Sequence, residues 1–312
     1  MLHHWTIDRE PNRLRLDVFI TEQLPEQSRS HIAKLLKHGA GKVNNKVVNV
    51  HHFLSLGDVI DFEDSVKTTK QKAETKKTYQ PLPPLEVIEA TPDWVVINKP
   101  SGVIVHPDGK EQGPTLVDAL IAYDPAIAKI GEDPTRPGIM HRLDKEASGL
   151  MVIARTQIAF ENLKKQFAEH SVEKRYIALV YGEVREDEGE IKFRIGRSTT
   201  KLRMAAIPEN EKAGKAAWTH FKTVKRFHNA SLMELDIFSG RTHQIRAHLL
   251  AFSHPIIGDP LYIRRSEDRN IKAPRLMLQC IHLRFNDPTT GTPHAFDLAP
   301  APEFATVMKQ LS

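Results

Sequence analysis

The chain has 312 residues, enough for about two domains at roughly 100–200 residues each, and its 40% hydrophobic and 27% charged residues describe an ordinary globular protein. A single cysteine, Cys280, excludes an internal disulfide framework and any cysteine-based metal cluster, and the apolar run 276–281 around it marks it as core. A net charge of +5 suits a polyanionic partner, while Met1–Trp5 lacks a basic start with an apolar core and no run of roughly 18 apolar residues occurs, so a cytoplasmic chain outside the membrane is expected.

Residues 13–64 read as a small α+β module. Leu14, Leu16, Phe19, Ile20 and Leu24 space a first helix that Pro25 ends. Ser28 and Ser30 offer N-caps for a second helix with Ile32, Leu35 and Leu36 on one face, and Gly39 and Gly41 stop it. Two short strands follow around 42–44 and 46–48 with Asn44-Asn45 as their turn, and the alternations at 54–56 and 58–62 continue the sheet. Between Arg29 and Val50 there is no Asp or Glu, yet Arg29, Lys34, Lys37, Lys42 and Lys46 all occur. A solvated helix usually mixes signs to gain i,i+4 pairs, so one-sided charge points to a phosphate-binding face centred on Arg29, Lys34 and Lys37.

Here the pattern resembles the RNA-binding domain named for ribosomal protein S4, through Arg13-Leu14, Asp17, Ser28-Arg29-Ser30-His31-Ile32, Leu36, Gly39, Val43-Asn44 and Gly57-Asp58. That family has glycine after the Val-Asn pair; Asn45 stands there, and asparagine also tolerates φ > 0. Residues 65–84 lose periodicity, alternate lysine with Thr and Gln, and end in Pro81-Leu82-Pro83-Pro84: a flexible basic linker.

A larger domain spans 85–312. Val95–Asn98 reads as a buried strand, 99–102 as a turn and Val103–His106 as the strand's continuation, with a helix from Thr115. Strands are expected at 151–154, 176–182 and 231–238, and Ile158, Phe160, Leu163 and Phe167 space a helix over 157–167. Strands and helices do not alternate regularly, which argues against a doubly wound sheet. The expected class is α+β, with a mixed, largely antiparallel sheet and flanking helices.

Three clusters in this domain can carry chemistry. His141-Arg142-Leu143-Asp144-Lys145-Glu146 is a polar turn at the lip of a buried strand, where Asp144 is either a solvated turn residue or a carboxylate held ionised by its cationic neighbours. In Ser239-Gly240-Arg241-Thr242-His243-Gln244-Ile245-Arg246-Ala247-His248 a strand ends and a helix begins near Thr242, making an anion site with Arg246 one turn in. His243 and His248 fall on different helix faces and have no third partner, so no metal site is expected. Lys174-Arg175-Tyr176 opens a strand, where a tyrosine most often packs.

Together these stretches resemble RluA-type pseudouridine synthases. His141–Asp144 with Ser148-Gly149-Leu150 is similar to the family's catalytic motif, 174–182 to its second motif and 239–248 to its third, and Asn98–Pro107 and His254–Tyr262 stand in the expected order. Ala147 replaces the family's usual threonine. The resemblance implies isomerisation of uridine in RNA: the N1–C1′ bond breaks, the uracil turns, and C5 is joined to C1′, with no redox change and no cofactor. Asp144 would be the nucleophile or base, Arg246 its partner, and Tyr176 a stacking residue that assists proton transfer. Arg142 would fill the gap left by the flipped base, His141 and Arg241 would contact RNA, and Ile245 would wall the uracil pocket. Members with the N-terminal module mostly modify 23S ribosomal RNA, which makes that RNA the expected partner of a monomer. The alternatives are transfer RNA, or a non-catalytic RNA-binding or ribosome-assembly protein.

Overall fold

The computed structural model describes residues 2–11, 14–27, 29–37, 39–48, 50, 52–64, 82–107, 113–198, 200, 203–263 and 271–311. The chain divides into two compact units, Met1–Thr78 and Tyr79–Ser312. Most of the expected linker, residues 65–81, lies outside the described residues.

The first unit comprises β1 (Leu2–Thr6), α1 (Leu16–Gln23), α2 (Arg29–Lys37), β2 (Gly41–Val43), β3 (Lys46–Val47) and β4 (Val59–Glu63). Its antiparallel sheet has the order β1-β4-β2-β3. Leu16 and Ile20 on α1, and Ile32 and Leu36 on α2, each one turn apart, bury their faces with Ile60 and Phe62. Asn44 and Asn45 both take positive φ, 52° and 62°, as a two-residue hairpin turn requires. Ser28, expected as a cap, lies outside the described residues. Two findings differ from the sequence reading. The 54–56 alternation is not a strand: it leads into a turn, with Leu54 buried and Leu56 exposed. The opening residues, which showed no pattern of their own, supply the edge strand β1.

The second unit contains β5 (Glu86–Ala90), β6 (Trp94–Lys99), α3 (Leu116–Tyr123), β7 (Ser148–Ala154), α4 (Gln157–Ala168), β8 (Glu173–Tyr181), β9 (Glu188–Ile191), β10 (Arg194–Arg197), β11 (Met204–Ile207), β12 (Thr219–Phe227), β13 (Ala230–Ile237), α5 (Gln244–Ala251), β14 (Leu278–Asn286), β15 (Pro293–Asp297) and α6 (Pro302–Met308). The main sheet runs β5-β6-β7-β14-β8-β13-β12-β9, with β15 added to β14 and β10-β11 forming a separate hairpin. Within it only β7 and β14 pair in parallel. The expected α+β class with a mixed, largely antiparallel sheet is what the chain forms.

All of β7 is buried, as an unbroken apolar run at the centre of a sheet should be, and α4 packs over it through Ala159, Phe160 and Leu163. Val103–His106 does not extend β6. Its carbonyls serve other partners, Val103 O taking the Lys99 ammonium and Ile104 O and Val105 O taking the first N–H groups of α3.

One row of the sheet explains how distant motifs meet. Gly149 faces Cys280, Cys280 faces Tyr176, and Tyr176 faces Leu235. The start of β7, just after Asp144, thus lies two strands from Tyr176, and the strand beyond leads directly into the loop before α5.

Candidate active site

The Asp144 loop is held from beneath. Lys99, fully buried at the end of β6, donates from Nζ to the carbonyls of Pro100 (2.8 Å), Val103 (2.8 Å) and Lys145 (3.2 Å). The Gly102 N–H also donates to Lys145 O (2.8 Å), and the Ser101 hydroxyl to Glu146 O. Burial draws the Lys99 ammonium down to about 7, against the opposing pull of Asp144 and Glu146. The stretch 98–102 is therefore the brace under the loop that carries Asp144.

Behind the loop, Gly149 lets β7 approach β14. Its φ is +118°, and a Cβ there would stand 2.2 Å from Cys280 O. His141 accepts the Val152 N–H at Nε2 (3.1 Å) and stacks on Phe167 with centroids 4.5 Å apart. Burial takes its imidazole down to about 3, so it is a neutral acceptor. His141, expected among the RNA contacts, lines the same cavity as Asp144, with Nε2 engaged by the strand.

Arg246 enters from the first turn of α5, with its side chain 1% exposed. Nε and Nη2 bind the two Asp259 oxygens at 2.8 and 2.9 Å, while Nη1 reaches Asp144 Oδ2 and Glu146 Oε2, both at 3.2 Å. Burial disfavours the Arg246 charge, but the three carboxylates overcome this and hold the guanidinium more firmly protonated. Asp259 is likewise pushed up by burial, yet Arg246 and the N–H groups of Leu261 and Tyr262 keep it below the usual carboxylate range.

Before α5, His243 adopts the left-handed conformation (φ 55°) at the N-cap position, one residue later than the start expected near Thr242. From there Nδ1 lies 3.0 Å from the Tyr262 hydroxyl and Nε2 lies 3.9 Å from Asp144 Oδ1. Burial lowers its pKa, the nearby carboxylates opposing. A non-glycine residue in this conformation at a charged site is backbone strain placed where it aims a side chain.

These groups open on a cavity of about 510 Å³. Met140, Leu143, Phe167, Tyr176, Ile245 and Leu278 form apolar wall, and Arg136, Arg142, Lys164, Lys174, Arg241 and Arg246 also line it. Among the described lining residues Asp144 is the sole carboxylate, 15% exposed. Burial raises the Tyr176 phenol well above its ordinary value, and raises the Cys280 thiol beside it to about 12. Tyr176 is consequently an O–H donor or a ring surface and not a base. Arg142 is exposed at the rim, Nη1 3.2 Å from His106 Nε2, and Arg241 is exposed with Nε donating to Ala216 O (3.4 Å).

The structure thus brings Asp144, Arg246, Tyr176, Ile245, His141, Arg142 and Arg241 to one cavity. Sequence reasoning passed over Lys99, Glu146 and Asp259, and set His243 aside with the rejected metal pair. In the first unit, Arg29 gives Nε (3.0 Å) and Nη2 (2.9 Å) to Asp17 Oδ2, which Arg15 also holds. The acid-free stretch after Arg29 hid this partner, because it comes from the preceding helix. The side chains of Lys34 and Lys37 lie outside the described ones.

A family model for RNA pseudouridylate synthase matches residues 93–251 and one for the S4 domain matches residues 14–60, and the chain belongs to the RNA pseudouridylate synthase family. It is 35% identical over 279 residues to an RNA pseudouridine synthase of Synechocystis, covering 89% of this chain and 83% of that protein. It is 31% identical to ribosomal large subunit pseudouridine synthase D of Nitrosomonas europaea (89% and 78% covered) and 32% to the protein of that name in Pseudomonas aeruginosa (93% and 89%). Among solved structures, human RNA pseudouridylate synthase domain containing 1 is similar at 25% identity and TM-score 0.54, over 74% of this chain and 97% of that one. The corresponding human domain containing 4 shares the fold, at 21% identity and TM-score 0.56 over 72% and 92%.

Proposed function

We propose that the protein isomerises uridine to pseudouridine in 23S ribosomal RNA, with Asp144 as the reacting group. The observation that carries the assignment is the placement of Asp144: the sole carboxylate among the described residues lining a cationic cavity, in contact with a guanidinium that Asp259 already fixes. The large-subunit assignment is supported by the names of relatives that the chain matches over most of its length, and by the S4 domain at residues 14–60.

In this reading the target nucleotide leaves its stack and enters the cavity, and exposed Arg142 takes its place in the RNA. Ile245 and the Tyr176 ring enclose the uracil. Asp144 acts on the sugar in one of two ways, each freeing N1 from C1′. It attacks C1′, forming an ester whose O–C1′ bond breaks when C5 bonds there, or it takes the 2′ proton and returns it to C2′ in that same rejoining step. The uracil turns, C5 bonds to C1′, and the C5 proton is lost while N1 gains one, so substrate and product are isomers. Arg246, in contact with Asp144 Oδ2, aims the carboxylate at the sugar. Residues 13–64 bind RNA, 65–84 tether, and 85–312 catalyse, in a monomer that works in the cytoplasm.

Carbodiimide mapping of pseudouridine in ribosomal RNA tests this, in a strain lacking the native gene and carrying either wild type or Asp144→Asn. Specific stops should be present with wild type and vanish with the variant, while RNA binding persists. Unchanged stops overturn the role of Asp144, and stops confined to transfer RNA overturn the substrate.

A further inference from the structure

A second cavity of about 480 Å³ adjoins the first and takes no part in the chemical steps above. Arg241 and His170 line both, so the two are neighbours. Its floor carries Trp218 and Phe238, whose rings stack with centroids 4.1 Å apart and planes 24° from parallel. Both remain open to solvent, 37% and 43% exposed. Large rings left wet side by side beside a reaction cavity mark a surface that meets something flat and apolar.

The surroundings say what kind of molecule. Lys192 places Nζ 4.8 Å from the centroid of the Trp218 ring, and it also pairs with Glu190. Arg194 donates to the carbonyls of Ala213 and Gly214, and Arg241 to that of Ala216, so both guanidiniums are fixed by neutral groups and keep their charge. Glu209 is the one carboxylate among the described lining residues. Aromatic faces beside fixed cations are the elements with which proteins hold single-stranded nucleic acid: rings for the bases, cations for the phosphates.

The platform is also rigid, and tied to the reacting site. Buried Gln244 donates from Nε2 to Trp218 O (3.0 Å) and Thr219 Oγ1 (3.1 Å). Its Oε1 accepts the Ser239 hydroxyl (2.7 Å) and the Arg241 N–H (3.2 Å). The Trp218 N–H in turn donates to Ser239 Oγ (3.3 Å). Gln244 opens α5, the helix that carries Arg246, so one buried amide ties the backbone that bears the rings to the helix that aims the catalytic arginine.

We propose that Trp218 and Phe238 form a second nucleotide subsite. An unpaired base of the substrate strand, close to the target uridine, extends the stack from Phe238, which Trp218 backs, while Lys192, Arg194 and Arg241 meet its phosphates. The inference rests on the reading that the target uridine enters the first cavity. It adds that the substrate must present an unpaired base beside that uridine.

The test compares wild type, Trp218→Phe, Trp218→Ala and Phe238→Ala on unmodified 23S ribosomal RNA transcript. Loss of either ring should raise KM roughly tenfold, with kcat retained at saturating RNA and Trp218→Phe near wild type. The slope of log KM against log salt should not change for the ring variants, because stacking is not ionic, but should flatten by about one for Arg194→Ala. Wild-type KM in both alanine variants overturns the subsite. Should an alanine variant fail to fold, tryptophan quenching still decides: a uridine-rich ribo-oligonucleotide should quench wild type more than Trp218→Phe, and equal quenching overturns the proposal. A wild-type protein inactive on the transcript but quenched by the oligonucleotide counts against the ribosomal substrate and supports the subsite.

Discussion

Arg246 meets Asp144 through Nη1 alone, at 3.2 Å, because Asp259 holds its Nε and Nη2 at 2.8 and 2.9 Å. The fully buried Asp259 fixes the plane of the guanidinium, and the leftover nitrogen is presented to the cavity. Lysine has no such fork and could not serve both carboxylates in this geometry.

Asp259→Asn is expected to leave Arg246 free to turn. Breaking one side of a buried ion pair costs about 3 kcal/mol of stability. A displaced catalytic partner costs about a hundredfold in kcat. Urea melts and single-turnover rates check the two effects separately. A variant destabilised but fully active would show that Asp259 holds the fold and not the geometry of the site.

The position of Asp144 was legible in the sequence, because a polar turn before an unbroken apolar run reads as a loop feeding a buried strand, but its role came only from the resemblance of the motifs. Arg246 was legible because its distance from the strand end put it in the first turn of a helix. Asp259 was not: it follows α5 in a segment without periodicity, and only the tertiary structure brings it back under the helix. Lys99 reads as a turn lysine; its burial depends on the 103–106 stretch leaving the sheet, which apolar alternation hid. The edge strand β1 was missed because its burial alternates only between exposed and half-buried, giving no periodic apolar signal.

Lys99→Met should separate bracing from folding. It fills similar volume but leaves the carbonyls of Pro100 and Val103 without this donor, at a cost of about 2 kcal/mol. The Lys145 carbonyl loses the ammonium and keeps the Gly102 N–H, so the Asp144 loop loosens and kcat should fall while KM for RNA stays near wild type. A matched rise in KM would mean that the loop binds RNA directly.

Gly149→Ala tests the close approach of the parallel strands. The φ of +118° and the 2.2 Å approach to Cys280 O leave no room for a methyl group. The strain alone is about 3 kcal/mol. Thermal melts of the purified variant should show a large loss.

Acid should weaken the fold through two neutral imidazoles. Burial takes His248 to about 4, with Nε2 against Phe193 O and Nδ1 against Thr219 Oγ1, and His141 to about 3. In the unfolded chain both titrate near 6.5, so below that pH the unfolded state binds protons that the folded state refuses. Their contribution is complete above about pH 6.5 and falls by about 1.4 kcal/mol per pH unit for each group on the way down to those folded values. Denaturant midpoints from pH 7.5 to 4.5 measure the slope, and His248→Gln should make it shallower. An unchanged slope would place the acid sensitivity elsewhere.

The first unit offers a test of which cations face RNA. Arg29 is half committed to Asp17, whose carboxyl burial raises but Arg29 and Arg15 bring below its ordinary range. Arg29→Ala should therefore destabilise this unit by about 1 kcal/mol, since Arg15 remains to pair a nearly buried carboxylate. Lys34→Ala with Lys37→Ala, on the acid-free helix, should leave its melting unchanged. That pair should weaken RNA binding and flatten the salt dependence by about two counterions. Filter binding of ribosomal RNA between low and physiological salt distinguishes the cases. If Arg29→Ala alone flattens the slope while the lysine pair does nothing, the phosphate face is the Arg29 end of α2 and the run of lysines merely keeps the helix solvated.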